Sequence, residues 1–242
     1  MSRTIVVTGS ASGIGLATAQ LLASRGNRVI GVDITEADIV ADLSTRAGCE
    51  AMARKVEELC GGTLDGVVAN AGIVGARALA INYFGARDTL ELLRPMLAKS
   101  AAPRAAVTAS LAAAMPPNLP LVEAVERGDR AAGAGEGAFV LYNASKHAIA
   151  RWVRRTSVEW AKDGILLNAV GPGAVPTPLL LNGVSPEAIE DSIANTPLNR
   201  FAQPEEIAEV YAFLLSPANS YMTGQILYVD GGMDSAMRPD TV

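Results

Sequence analysis

The chain has 242 residues, half of them hydrophobic and 19% charged, with a formal net charge of −5. Such a chain is long enough for one large core and too apolar to stay disordered, and its acidic balance argues against a nucleic-acid partner. No apolar run approaches the roughly 18 residues that a membrane span needs. Cys49 and Cys60 fall in one helical stretch, forming neither a disulfide framework nor a metal cluster. They suit a reducing cytoplasm.

Arg3 to Thr8 (RTIVVT) reads as a buried parallel strand, and its early position leaves no room for a cleaved leader. Thr8-Gly9-Ser10-Ala11-Ser12-Gly13-Ile14-Gly15 follows, then a helical pattern through Leu16, Ala19, Leu22 and Ala23. Strand, glycine-rich turn and helix make a dinucleotide cradle. Glycines permit close backbone approach, and the helix N-terminus faces the pyrophosphate. A second strand over 28–32 ends at Asp33, 20 residues beyond Gly13. A carboxylate there accepts the adenosine ribose hydroxyls and repels a 2′-phosphate, so NAD(H) is expected over NADP(H).

Asp42-Leu43 follows a short apolar run, where it can flank an adenine ring. Residues 46–60 read as an amphipathic helix and 64–69 as a strand leading into Asn70-Ala71-Gly72, whose small side chains would admit the nucleotide. A helix over 81–98 carries Asn82. A strand over 105–109 ends at Ser110. The recurring strand–helix–strand pattern predicts a doubly wound parallel sheet, an α/β Rossmann fold in one domain. Residues 111–141 are less regular, with helical spacing over 119–132 and loop-like flanks. They read as an insert over the site or at a subunit contact.

Tyr142-Asn143-Ala144-Ser145-Lys146 opens a helix running to about Lys162. Spacing of i,i+4 puts Tyr142 and Lys146 on one face. An ammonium close to a phenol stabilises the phenolate and brings its pKa toward the range where acid/base catalysis works. His147 is the chain's one histidine and is expected to be a surface helix residue. The strand over 165–170 is broken by Gly171-Pro172-Gly173. Pro176 to Leu198 is apolar and interrupted by prolines, as expected of a mobile lid of one or two short helices. Pro204-Glu205-Glu206 opens another helix, and Gln225 to Val229 is the last strand.

In this order the motifs resemble the short-chain dehydrogenase/reductase family over essentially the whole length. They are Thr8-Gly9-x-x-x-Gly13-Ile14-Gly15, Asn70-Ala71-Gly72, Asn82, Ser110, Tyr142-x-x-x-Lys146 and Pro172-Gly173. The resemblance implies a nicotinamide cofactor and hydride transfer between a secondary alcohol and a ketone. Tyr142 would be the proton donor/acceptor and Ser110 would hold the substrate oxygen. Lys146 would bond the nicotinamide ribose and lower the tyrosine pKa, and Asn82 would complete the tetrad and support a water relay. Ser12, Pro172, Gly173, Val175 and Thr177 would also face the cofactor, with Thr177 on the carboxamide.

Within the family the likeness is strongest to the bacterial 3α-hydroxysteroid dehydrogenase/carbonyl reductase branch. Gly31-Val32-Asp33-Ile34, Ala41 to Thr45, Asn82 to Ala86 and Met237-Arg238-Pro239 carry it, with the long Ser-to-Tyr connection. One departure is Thr108-Ala109 before the serine, where the family often has another serine. The branch implies a hydrophobic alcohol or ketone, including a steroid or an aromatic alcohol, and a homodimer or homotetramer. A non-catalytic NAD-binding sensor is the competing reading. So is an extended-branch epimerase, but only about ten residues follow Gly232, too few for a substrate domain.

Overall fold

The computed structural model describes residues 2–182 and 185–241. Seven parallel strands form one sheet in the order β3-β2-β1-β4-β5-β6-β7. They are β1 (Thr4–Thr8), β2 (Arg28–Asp33), β3 (Ile39–Val40), β4 (Gly66–Ala69), β5 (Arg104–Thr108), β6 (Leu166–Pro172) and β7 (Ile226–Val229). The helices are α1 (Gly13–Ser24), α2 (Arg46–Cys60), α3 (Ala86–Leu97), α4 (Leu119–Glu126), α5 (Ala138–Lys162), α6 (Pro178–Leu181), α7 (Pro186–Ala194), α8 (Pro204–Leu215) and α9 (Met233–Met237).

Side chains alternate across a strand, and here both faces are apolar. Val6, Val67, Ala105 and Leu167 point to one core with α2, α3 and α5. Ile5, Val7, Val68 and Ala106 point to the other, which α8 covers. The sheet is therefore doubly wound, as the runs of β-branched residues predict. Strand order reverses between β1 and β4, and at such a switch point a crevice opens beyond the strands' carboxyl ends.

Several boundaries differ from the sequence reading; the helical stretch read over 119–132, for one, ends at Glu126. Gly171 and Pro172 do not break β6; they pair with Tyr228 and Val229 of β7, and the bond to the Val229 carbonyl is donated by the Gly173 amide at 3.0 Å, so the missing N–H of Pro172 costs no bond to β7. The helix of Tyr142 begins four residues earlier, at Ala138. The helix carrying Asn82 opens as a π-helical segment, Leu79–Gly85, before continuing as α3. Residues 111–137 hold a 3₁₀ turn (Leu111–Ala114), then α4, which packs on α5. Arg130 of this stretch pairs with Asp88 of α3, a buried carboxylate that Arg46 and Arg87 also approach.

Candidate active site

A cleft of about 700 Å3 lies along the carboxyl edge of β1, β4, β5 and β6. Gly9 leaves β1 with φ +70°, and a Cβ on it would lie 2.9 Å from Asn70 Nδ2. Gly13 has φ +52°, and a Cβ there would lie 2.8 Å from Thr177 Cγ2. Both positions keep bare backbone at the wall of the cleft. Gly15 acts differently: it lies behind the wall, where a Cβ would come within 2.0 Å of the Gly9 carbonyl, so it lets α1 close on β1. Ser12 is the N-cap residue of α1, its side chain making no capping bond, and with Ile14 it lines the cleft. Asp33 ends β2 at the same wall. Its carboxylate accepts from the Ala11 amide at 2.9 Å and from its neighbour Ile34 at 2.7 Å.

Asp42, Leu43 and Val175 also line the cleft. So does Arg77, which the sequence reading passed over; it forks onto both oxygens of Asp42, at 3.0 and 2.9 Å. Hydrogen bonds from Ser44, and after them the Arg77 partner, hold the Asp42 pKa below its ordinary value against a small opposing effect of burial. Asn70 is more than a small residue beside a nucleotide. Its side chain donates to the Thr8 carbonyl at 3.1 Å and accepts from the Thr108 hydroxyl at 3.0 Å. Those bonds tie β1, β4 and β5 together at the crevice. Ala71 and Gly72 continue the wall, and a Cβ on Gly72 would lie 3.1 Å from Asn82 Oδ1. Pro172, Gly173 and Thr177 close the cleft from the β6 side.

The floor is set by α5. Tyr142 and Lys146 share a face as predicted, with the Lys146 Nζ 5.7 Å from the Tyr142 ring centre. Ser110 follows β5 and lines the same cleft as Tyr142; its hydroxyl accepts from the Ala112 amide at 3.1 Å and lies near enough to the phenol to act on its pKa. The electrostatics differ from expectation. Burial raises the Tyr142 pKa above its ordinary value, and the Ser110 hydroxyl only partly opposes that. Burial also pushes Lys146 down to about 7. The ammonium is 3% exposed and donates to the Thr108 carbonyl at 2.8 Å. Desolvation thus acts on both partners at once, whereas i,i+4 spacing alone suggests a solvated ammonium beside the phenol.

Asn82 stands one layer back, buried in the π-helical segment. It donates to the Ile73 carbonyl at 2.9 Å and to the Ser145 hydroxyl at 3.0 Å, and accepts from the Ile73 amide at 2.8 Å. Ser145 in turn donates to the Tyr142 carbonyl at 2.6 Å. His147 is half-buried, contrary to expectation. Its Nδ1 lies 3.1 Å from the Ala113 carbonyl, and Asn143 donates to the Ala112 carbonyl at 2.8 Å. Two α5 side chains thereby grip the turn that follows Ser110. Thr108, Asn143 and Ser145 carry no motif of their own; only the folded contacts reveal them.

A family model described as enoyl-(acyl carrier protein) reductase matches residues 9–234. The chain belongs to the short-chain dehydrogenase/reductase family. It is 39% identical to the 3-alpha-hydroxysteroid dehydrogenase/carbonyl reductase of Comamonas testosteroni, over 97% of this chain and 98% of that protein. It is 36% identical to the cis-4-hydroxycyclohexanecarboxylate dehydrogenase of Sinomonas cyclohexanicum, over 95% and 96%. The crystal structure of the 3-alpha-hydroxysteroid dehydrogenase from Pseudomonas sp. B-0831 complexed with NADH superposes with a TM-score of 0.94 at 43% identity. That match covers 99% of this short-chain dehydrogenase/reductase and all of the other chain.

Proposed function

We propose that Tyr142, Ser110, Lys146 and Asn82 form the catalytic tetrad of this enzyme and that its substrate is a hydrophobic ring alcohol or ketone. The chain is an NAD(H)-dependent oxidoreductase interconverting CH–OH and ketone groups. The observation that carries the tetrad is the placing of Tyr142 and Ser110 together at the floor of one cleft, with Lys146 buried beside them.

The cleft suits a dinucleotide. Glycine backbone lies bare at Gly9 and Gly13, the N-terminus of α1 opens beside an uncapped Ser12, and the Asp33 carboxylate stands at the end of β2. Asp42, Leu43, Asn70, Ala71 and Gly72 would flank the adenosine half, and Pro172, Gly173, Val175 and Thr177 the nicotinamide half. Nicotinamide, when bound, supplies the hydride acceptor or donor and, oxidised, a positive ring that favours the phenolate.

In oxidation, Tyr142 Oη takes the proton of the substrate hydroxyl; in reduction it returns one to the carbonyl oxygen. Ser110 Oγ, its lone pair engaged by the Ala112 amide, donates to the same oxygen and stabilises the charge that develops there. Lys146 sits close enough to respond to each change of charge on Tyr142, and a pKa of about 7 lets it hold or give up a proton near neutrality. Asn82 orients the α5 backbone through Ser145. Asp33 favours NAD(H), because a carboxylate repels a 2′-phosphate.

Residues 176–198 would act as the substrate lid: Leu179 and Leu180 face the cleft while Leu181 is exposed. Gly183 and Val184 of that segment lie outside the described residues. No helix among the described residues is long and apolar enough to cross a membrane, and the two free cysteines suit a reducing cytoplasm. A homodimer or homotetramer is part of the same proposal. The test is oxidation of NADH and of NADPH by the purified protein against 3-ketosteroids, cyclic ketones and aromatic aldehydes. NADH-dependent reduction of ring ketones is expected. NADH binding with no turnover across the series would instead favour a sensor.

A further inference from the structure

After Ala138, the first residue of α5, come three large apolar residues, Phe139, Val140 and Leu141, and they part company. Leu141 is buried in the core at 4% exposed and Val140 packs against it. Phe139 is 59% exposed, yet it lines the cleft. It lies three residues before Tyr142 and seven before Lys146, so all three share one helix face. Residues three apart on a helix have Cβ atoms about 5–6 Å apart. A carbonyl oxygen held on the Tyr142 phenol therefore leaves a single small ring near the floor, while a second fused ring reaches toward Phe139. Met115, from the end of the 3₁₀ turn, and Leu180 of the lid border the same cleft. Neither core explains Phe139.

We infer that Phe139 is a specificity-determining residue: its ring packs on the second ring of a fused-ring ketone or alcohol and makes the enzyme prefer such substrates over monocyclic ones. The inference rests on the functional reading above and adds to it the size of the substrate and the residue that measures it. Phe139 carries no ionisable group and takes no part in proton transfer.

The experiment compares kcat/KM for 2-decalone and for cyclohexanone, with NADH, in the wild type and in Phe139→Ala, Phe139→Leu and Phe139→Trp. Loss of the ring contact costs roughly tenfold or more in kcat/KM for 2-decalone, by analogy with removal of apolar groups from specificity pockets, and the loss falls on KM. The cyclohexanone value stays unchanged, and Trp restores more of the decalone preference than Leu. An equal loss on both ketones, or an unchanged ratio in every variant, would overturn the inference and leave the reaction class intact. Wild-type turnover of cyclohexanone but not of 2-decalone would do the same. Failure of the wild type to oxidise NADH with either ketone, alongside normal NADH binding, would overturn the functional reading and this inference together.

Discussion

The floor and the roof of the cleft are built to opposite standards. On the floor, Asn82 and Lys146 are 1% and 3% exposed, and each polar group is tied to backbone or to a neighbour. In the roof, neither α6 nor α7 contains a buried residue. Proton transfer requires atoms held within hydrogen-bond reach, so the floor is packed into the same core that stabilises the fold. Admitting a bulky substrate requires an element that moves at little cost, and few buried contacts give one. Under the proposed function the proton-transfer groups are thus held firmly and the lid over them is not, and this difference can be tested from each side.

The largest effect is expected on the floor. Burying Lys146 lowers its pKa from the usual 10.5 to about 7. Between those values the unfolded chain binds a proton that the folded chain does not. This lysine's contribution therefore makes stability rise with pH from about 7 to 10.5 and fall as pH drops back through that window. Lys146→Met should abolish turnover yet raise stability at pH 7 by on the order of several kcal/mol. Leaving the Thr108 carbonyl without its donor would offset about 1 kcal/mol of that. Denaturant titrations at pH 7 and pH 10 would check it: the gain should shrink at the higher pH. A variant less stable than wild type at pH 7, with the same pH dependence, would mean the ammonium is not desolvated.

A smaller effect is expected in the roof. Leu180→Ala removes an apolar side chain that faces the cleft but no core. It should raise KM for a hydrophobic ketone several-fold, at about 0.8 kcal/mol per methylene no longer buried by substrate, and leave the melting temperature unchanged. Steady-state kinetics beside a thermal melt would decide; a lowered melting temperature would show that the roof is part of the stable core after all.

How far this division could be read from the sequence depended on how local each signal was. Helix α2 was legible at both ends, because the Thr45 side chain caps it and Gly61 follows it in the left-handed conformation. The proposed tetrad came from the family's motif order, and its four residues stand at fixed places beside strands and helix turns. The π-helical segment was not: its apolar spacing matches an ordinary helix. What distinguishes it is tertiary, including the approach of the Leu43 carbonyl to within 2.4 Å of where a Cβ on Gly85 would stand. The early start of α5 was hidden because Gly137 has no side chain with which to cap it. Arg77 and Phe139 lay in stretches that read as connections until the fold brought them to the cleft. The direction of the Tyr142 pKa was misjudged for a related reason. Spacing shows that Tyr142 and Lys146 are neighbours, but only burial shows that both are taken out of water.

The most direct test of the floor's role is one substitution, Tyr142→Phe, followed by NADH fluorescence and by turnover. The ring, its packing and the cofactor cleft remain, and only the hydroxyl that exchanges a proton is lost. NADH should bind as it does to the wild type while kcat falls about 100- to 10,000-fold at every pH. Retention of near-wild-type turnover with tight NADH binding would contradict the account, because the proton would then have to pass through another group.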